Sequence, residues 1–224
     1  MKMRHFLSLL TFFCFASFGM EKKGDVKRKL YAQDFESLGV IHTNNLVVRI
    51  KKSKIILEHD QVKLKEEKLQ EYKALLAQNH QAKVCLQRIN EKIGYGVFAE
   101  EDIELDDMIG EYTGELISSK KAQKLMDQDP CGADFFMHTG ALHTLEKNNQ
   151  PTNLYVDAKK YGNFTRFINH SANPNIDNFS ILGHDKLCHI IVVACRPIKR
   201  GEQLLIDYGP GYWCYKGIAP EDLE

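Results

Sequence analysis

The densest group of polar side chains in the sequence is the decapeptide RFINHSANPN, residues 166–175. Its adjacent Asn169 and His170 offer an amide, an imidazole and backbone groups, which together can bind a polar small molecule. The alternative is a turn in which asparagine side chains bond the backbone. Segments so rich in amides are usually surface loops, yet this one lies between the aromatic stretch YGNFT and another apolar stretch. Its position therefore needs an explanation.

Two glycine-containing segments offer a second kind of chemistry, the close approach of backbone to a ligand. In KIGYGVFA, residues 92–99, Gly94 and Gly96 flank Tyr95 ahead of an apolar strand, although a G-x-G pair more often marks a hairpin turn. GEQLLIDYGPGYW, residues 201–213, places Tyr208 at the end of an apolar strand with Trp213 close behind. A tyrosine there is usually structural, so neither segment identifies a function alone.

Short strands are expected to position these residues. From Val84 onward, apolar segments are separated by glycine and turn residues, as in a mostly β fold. The segment GEYTGE, residues 110–115, predicts a strand with a kink, and Phe135 and Phe136 of ADFFMHTG are typical of a core. Repeats and alternation with long helices are missing from the sequence, which argues against a Rossmann-type sheet. The predicted strands are VCLQRI, GVFA, MIGEYTGELI, NLYVDA, CHIIVVACRPI and QLLIDYG.

An N-terminal extension, residues 20–83, precedes this half. Its β-type runs NLVVRI and KIILEH predict one or two edge strands among basic clusters. From Asp60 to Lys83 the sequence lacks glycine and proline and repeats apolar residues near a 3.6 period, which predicts an amphipathic helix. We expect this helix to pack against its own domain, and the alternative is a partner-binding helix.

Residues 1–19 have the pattern of a secretory signal peptide, since two basic residues precede an apolar run that ends in small residues. The apolar run is short for a membrane span, which needs about 20 residues. We therefore expect export and no stable membrane span. The alternatives are an uncleaved apolar helix and a cytoplasmic protein translated from Met20.

Composition limits the classes of function. The chain has 224 residues, of which 43% are hydrophobic, so it can bury a core. Thirty basic residues balance thirty acidic ones, which argues against direct nucleic acid binding. The cysteines show neither a C-x-x-C motif nor zinc-finger spacing, so buried free thiols are favoured over disulfides or a metal site. They are Cys14, Cys85, Cys131, Cys188, Cys195 and Cys214.

The order of the motifs resembles the SET domain of protein lysine methyltransferases, including bacterial proteins similar to histone methyltransferases. That order is GYG with GVFA, then GEYTGE, an aromatic segment, RFINHSANPN and finally GEQLLIDYG. The pairing of the last two motifs at this spacing is highly specific. The resemblance covers residues 84–215, between the extension and a short tail, residues 216–224.

The resemblance implies a mostly β fold of small antiparallel sheets with some helix. Its C-terminal segment crosses the Asn-His loop in a pseudoknot, a rare kind of threading. The decapeptide would then be a buried crossing point whose amides bond the passing strand and the cofactor. The implied cofactor is S-adenosylmethionine. Its ligands would be Gly94, Tyr95, Gly96, Asn169, His170, Tyr208 and Trp213.

The implied chemistry is methyl transfer from a sulfonium to a lysine amine, which requires alignment and a neutral amine but no metal. An aromatic channel and a nearby positive charge lower the ordinary lysine pKa of about 10.4. Tyr208 would be the catalytic residue, positioning the reacting groups and not acting as a base, because a phenol has a pKa of about 10. The expected walls of the substrate channel are Tyr112, Phe135, Phe136 and Ile206.

Two positions depart from the family's commonest pattern. Ala172 replaces a frequent zinc-binding cysteine and the tail has only Cys214, so we expect no metal and a tail closed by aromatic packing. Ile206 replaces a frequent Phe or Tyr, with Asn178 as a second source of a polar group. This change favours the addition of more than one methyl group.

The substrate is only weakly indicated. Between Ile93 and Ser119 there are eight acidic residues and no Lys or Arg, which marks either a solvated face or a groove that attracts a basic, histone-like tail. Because the cofactor is cytosolic, export favours an effector that acts inside a host cell. The alternatives are a methyltransferase for the producer's own cytoplasmic proteins and an inactive SET module that binds a basic peptide. The sequence leaves the oligomeric state open.

Overall fold

The computed structural model describes residues 29–50, 55–57, 64–129, 134–144 and 151–216. The predicted leader and nearly all of the predicted tail lie outside these residues. Within the described ranges, no helix combines the length and apolar character needed to cross a membrane.

Short strands form most of the regular structure. In chain order the strands are β1 (Ile41–His42), β2 (Val47–Val48), β3 (Ile55–Leu57), β4 (Val84–Asn90), β5 (Gly94–Ala99), β6 (Met108–Glu111), β7 (Glu115–Ser118), β8 (Phe136–Thr144), β9 (Pro151–Asp157), β10 (Tyr161–Gly162), β11 (Asn169–His170), β12 (Ile176–Leu182), β13 (Cys188–Ala194) and β14 (Leu205–Ile206). The helices are α1 (Glu66–Ala77), α2 (Ser119–Gln128) and α3 (Pro210–Lys216), with 3₁₀ helices at Ala32–Leu38 and Phe164–Phe167.

The largest sheet has five strands in the order β2-β7-β9-β8-β3. Strands β2 and β3 come from the two N-terminal runs predicted as edge strands, and they form the two edges of this sheet. Strand β2 pairs in parallel with β7, whereas the other pairs are antiparallel. The extension therefore completes a sheet of the second half instead of folding apart from it.

The segment GEYTGE is not one kinked strand, so that prediction was wrong. Strand β6 belongs to the three-stranded sheet β12-β13-β6, whereas β7 belongs to the five-stranded sheet. Gly114 lies at the change of sheet, where an added Cβ would collide with the carbonyl oxygen of Asp157. The change arises because β6 pairs with β13 and β7 pairs with β9. A local hydrophobic pattern gives no information about such distant pairing.

Helix α1 packs against the three-stranded sheet, as expected for an amphipathic helix. Tyr72 is buried with Ile191 and Val193 of β13, and its hydroxyl donates to the carbonyl oxygen of Asp106 at 2.8 Å. Every residue of β13 is buried because its other face packs on the remaining core, which explains the unbroken apolar run. The helix ends at Ala77, short of the predicted Lys83, since Asn79 has a left-handed φ of 53°.

The C-terminal segment meets the decapeptide through a parallel pair, β11 with β14. On one side of the segment, the amide of Ser171 donates to the carbonyl oxygen of Ile206 at 3.0 Å. On its other side, the amide of Leu204 donates to the carbonyl oxygen of Val97 in β5 at 2.8 Å. Residues 204–206 thus lie between the β4–β5 hairpin and the Asn-His segment, where the predicted crossing places them.

Candidate active site

Asn175 explains why the decapeptide is rich in amides although it lies inside the fold. Its side chain is completely buried, and its Oδ1 accepts a hydrogen bond from the amide of Leu205 at 2.8 Å. Its Nδ2 donates to the carbonyl oxygen of Gln203 at 2.7 Å and to a carboxylate oxygen of Glu202 at 3.1 Å. The side-chain amide thus takes the place of a neighbouring strand for Gln203 and Leu205. Their buried backbone groups therefore keep hydrogen-bond partners.

The predicted cofactor residues of the two halves come together at this crossing. Asn169 Nδ2 donates to the carbonyl oxygen of Tyr95 at 3.0 Å, and His170 Nδ1 accepts from the amide of Tyr208 at 3.2 Å. Gly94 has a φ of +80° at the β4–β5 hairpin, and an added Cβ there would meet nothing within 4 Å. An added Cβ at Gly96 would lie 2.6 Å from Gln203 Nε2, so this glycine permits close packing of the crossing segment.

Tyr208 lies where several rings meet. Its ring centroid is 5.4 Å from that of His170, 4.7 Å from that of Tyr212 and 6.1 Å from that of Trp213. The hydroxyl donates to the carbonyl oxygen of Ile168 at 2.9 Å. Burial raises the Tyr208 pKa above that of an ordinary phenol, and interactions with the neighbouring Tyr112 and Asp134 act in the same direction. The hydroxyl is therefore protonated at neutral pH and serves as a donor.

Trp213 of α3 is buried, with its ring centroid 4.6 Å from that of His170. Its indole Nε1 is enclosed and finds no acceptor among the described residues. A buried donor without an acceptor costs free energy, about 1–3 kcal/mol. An orphaned indole N–H beside His170 is consistent with a site for a polar ligand such as the predicted cofactor.

A cavity of about 500 Å³ opens beside Tyr208. Of the predicted channel residues, Tyr112, Phe136 and Ile206 line it, and Asn178 does so as well. The remaining lining residues in the described part of the chain are Met126, Asp134, Met137, His138, Tyr155, Thr165, Arg166, Ile168, Val192, Asp207, Gly211 and Tyr212. Because Tyr208 lines the cavity and bonds His170, it joins the cavity to the Asn169–His170 group.

Phe135 does not line this cavity, contrary to the prediction. Its ring lies under the guanidinium of Arg166, with 4.2 Å from the ring centroid to Cζ. Its carbonyl oxygen accepts a hydrogen bond from the Tyr112 hydroxyl at 2.9 Å. Phe136, the first residue of β8, lines the cavity instead. Phe135 thus supports two lining residues from behind.

The acidic run does not form a groove at the cavity. Four of its eight carboxylates pair with lysines, namely Glu100 with Lys29, Glu101 with Lys83, Asp102 with Lys199 and Glu115 with Lys121. Among the described lining residues the acids are Asp134 and Asp207, which lie outside the run. The solvated-face interpretation is therefore the better one.

Metal and thiol chemistry receive little support from these residues. The described ranges contain no group of three or more His, Cys, Asp or Glu side chains that could hold a metal ion. Cys85 and Cys188 are buried free thiols, as expected, whereas the free Cys195 is exposed.

Several lining residues were not predicted. Arg166 is part of the decapeptide, but its position over the ring of Phe135 depends on contacts between distant segments and was not foreseen. Met126 lies on α2, and Tyr155 on β9. Neither belongs to a motif, so their sequence context carries no signal that links them to Tyr208.

Comparison with known proteins agrees with the sequence motifs. Histone-lysine N-methyltransferase SUV39H2 from Gallus gallus is 30% identical over 131 residues, which are 57% of this chain and 30% of that protein. Histone-lysine N-methyltransferase EZH2 from Chaetomium thermophilum is 35% identical over 123 residues, which are 54% of this chain and 8% of that protein. The chain thus spans less than a third of the length of these relatives.

A solved structure of ctPRC2 in an autoinhibited conformation bound to S-adenosylmethionine is 32% identical, with a TM-score of 0.49, and the match covers 60% of this chain and 16% of that one. The sequence profile of the SET domain matches residues 94–209. This range holds 209 − 94 + 1 = 116 of the 224 residues, more than half of the chain. It includes the GYG, GEYTGE, RFINHSANPN and GEQLLIDYG motifs, and the chain therefore belongs to the SET-domain family.

Proposed function

We propose that this protein is an S-adenosylmethionine-dependent protein-lysine N-methyltransferase that acts on histone or other basic protein tails. The observation that carries the proposal is the position of Tyr208. Its ring lines the cavity, while its backbone amide bonds His170 in the predicted cofactor group. A donor site and an acceptor site that share one tyrosine are the arrangement that methyl transfer requires.

The residues at the crossing fit the cofactor. Asn169 and His170 would hold its polar parts, the open face at Gly94 leaves room, and the unpaired indole N–H of Trp213 offers a hydrogen bond. When bound, S-adenosylmethionine supplies a methyl group activated by a sulfonium. Tyr208 would then lie beside the path from this group to the acceptor, where the cofactor site meets the cavity.

The cavity residues prepare the acceptor. The rings of Tyr112, Phe136 and Tyr155 exclude water, which disfavours a charged ammonium and lowers the lysine pKa. They also attract the methylated cation that forms, through their π faces. The Tyr208 hydroxyl donates a hydrogen bond to the carbonyl oxygen of Ile168, so its oxygen would accept a hydrogen bond from the amine N–H and leave the nitrogen lone pair free to attack. The ammonium loses one proton to solvent before transfer.

A basic tail is the acceptor class that the site supports best. The exposed carboxylates of Asp134 and Asp207 line the cavity and can attract cations that flank the target lysine. The relatives are named histone-lysine methyltransferases, which favours a histone as the substrate. The fold does not indicate which lysine of the substrate is methylated.

Incubation with labelled S-adenosylmethionine and a panel of core histones and basic bacterial proteins tests the proposal. We expect label on at least one basic protein and a loss of about 100-fold or more in Tyr208→Phe, since removal of one preorganised hydrogen-bonding group at the reacting atoms costs about this much. The matched control is Tyr161→Phe. The Tyr161 hydroxyl accepts a hydrogen bond from Arg49, and Tyr161 does not line the cavity. Full activity in Tyr208→Phe would contradict the assigned role.

An inactive SET module that binds a basic peptide is the second candidate, and the cavity's carboxylates favour it equally. Calorimetry separates the two functions. We expect heat on titration with S-adenosylmethionine, whereas binding of a histone-tail peptide with no binding of the cofactor would support the inactive module.

We further propose that the protein is exported and acts in a host cell. The support is the signal-like pattern of residues 1–19. Fusion of residues 1–30 to a reporter should direct export in the native producer. A mature N-terminus at Met20 in the producer's cytoplasm, found by mass spectrometry, would favour methylation of its own proteins.

A further inference from the structure

Arg166 holds a positive charge in a fixed place at the cavity. Its guanidinium Cζ lies 4.2 Å from the ring centroid of Phe135 and 4.7 Å from that of Phe167. Its Nε donates to the carbonyl oxygen of Ala158 at 2.7 Å, and its Nη2 lies 3.5 Å from that of Lys159. Two rings and two carbonyl groups therefore fix the side chain, which also lines the cavity.

This charge is not neutralised by an ion pair. Among the described residues, no carboxylate lies within the 4.0 Å of a salt bridge to Arg166. Asp157 acts on it from farther away, and burial raises the pKa of that carboxyl. Burial also lowers the pKa of Arg166, to about 10, which still leaves the guanidinium charged at neutral pH.

The other titratable groups near Arg166 are either neutral or exposed to solvent. Tyr112, which directly follows β6, interacts with it, and burial keeps that phenol neutral by raising its pKa. His138 of β8, Asp134 and Asp207 line the same cavity, and both carboxylates are exposed, so water weakens their fields. The half-buried guanidinium is screened less than these surface charges.

We propose that Arg166 lowers the pKa of the acceptor lysine amine by placing a fixed like charge beside it in the cavity. The inference rests on the proposed methyltransferase function and concerns the proton loss that precedes transfer. The ammonium gives one proton to solvent, and the lone pair left on nitrogen would form the new N–C bond as the bond from the methyl group to the sulfonium breaks, with its electron pair leaving on the thioether sulfur of S-adenosylhomocysteine. A nearby like charge favours the neutral amine, so a larger fraction of bound lysine is ready to react.

The direct test measures the pKa of the bound lysine. A histone-tail peptide with ε-¹³C lysine is bound to the full chain in the presence of S-adenosylhomocysteine and titrated by NMR. We expect a pKa well below the free value of about 10.4 in the wild type. Arg166→Met should raise the bound pKa by about one unit, a tenfold change in the neutral fraction. Arg166→Lys, which keeps the charge, should largely retain the wild-type value.

The pH profile of methylation gives a second readout. The acid limb of the rate should move to higher pH in Arg166→Met by the same amount as the NMR pKa, whereas a purely structural defect would lower the rate at every pH. Arg166→Gln keeps a planar group between the two rings and replaces Arg166→Met if that variant does not fold.

The outcomes separate this inference from the proposed function. A wild-type protein that neither binds the cofactor nor transfers methyl groups contradicts the proposed function. An active wild type whose bound lysine has a pKa at or above about 10.4 overturns the inference without any variant. A folded Arg166→Met or Arg166→Gln whose bound pKa and pH profile match the wild type also overturns it.

Discussion

Asn175 is the residue on which the crossing depends most. Its amide makes hydrogen bonds to Leu205, Gln203 and Glu202, and it is fully buried. An asparagine in an ordinary turn bonds its own local backbone, whereas Asn175 makes three hydrogen bonds to a segment that is distant in the chain. The amide-rich decapeptide therefore reflects the pairing of two distant segments.

We predict that Asn175→Ala lowers the free energy of unfolding by about 3 kcal/mol, because it leaves the amide of Leu205 and the carbonyl of Gln203 buried and unpaired. Urea denaturation followed by circular dichroism measures the loss. Asn173→Ala, an exposed position in the same decapeptide, is the control and should change stability by less than about 0.5 kcal/mol. Equal effects at the two positions would contradict the role of Asn175.

The change of sheet after β6 is a feature of elements. Tyr112 follows β6 directly, and the turn to β7 lets its hydroxyl reach the carbonyl oxygen of Phe135. Gly114 makes this turn possible, since backbone atoms of Asp157 and Ala158 fill the space of a side chain. A single kinked strand would carry Tyr112 away from the cavity.

We predict that Gly114→Ala destabilises the fold by about 2 kcal/mol or more, because its Cβ would meet a backbone carbonyl oxygen that has no room to move. Gly211→Ala is the matched control, since an added Cβ there meets nothing within 4 Å and alanine suits a helix. Thermal denaturation should show a lower melting temperature for Gly114→Ala alone. A melting temperature like that of the wild type would show that β7 adjusts freely.

At the scale of the whole molecule, one buried histidine makes folding depend on pH. His189 of β13 lies 2.7 Å from a carboxylate oxygen of Glu111 in β6 and 3.0 Å from one of Asp185. Burial alone would lower the pKa of His189, but the hydrogen bonds and charges of the two carboxylates raise it above the ordinary value of 6.5. The charged imidazole thus joins two strands and the turn before β13.

We predict that this group stabilises the fold fully below pH 6.5 and that its contribution is lost as the pH rises through the folded-state pKa. The sign follows because the folded protein holds this proton more tightly than the unfolded chain does. Urea denaturation between pH 6 and 9 should show a decline of about 1.4 kcal/mol for each unit of pKa shift. In His189→Asn the free energy of unfolding should change little over this pH range. An equal decline in that variant would show that other groups cause the pH dependence of stability.

The sequence by itself determined the family, the β4–β5 hairpin, several strands of the second half such as β9 and β13, and the residues that meet at the crossing. These depend on local patterns, namely glycine before a strand, apolar runs of strand length and two dense motifs. Strands β8 and β12 and helix α2 escaped prediction because polar residues interrupt their apolar runs.

Only the tertiary structure decided what surrounds Tyr208. It placed Arg166 on the cavity and Phe135 behind it, divided GEYTGE between two sheets, and paired the acidic run with distant lysines. Each of these outcomes depends on contacts between residues far apart in the chain. The physical reason is that burial and charge pairing depend on which residues are packed next to one another. A single sequence gives the order of the residues but not these contacts.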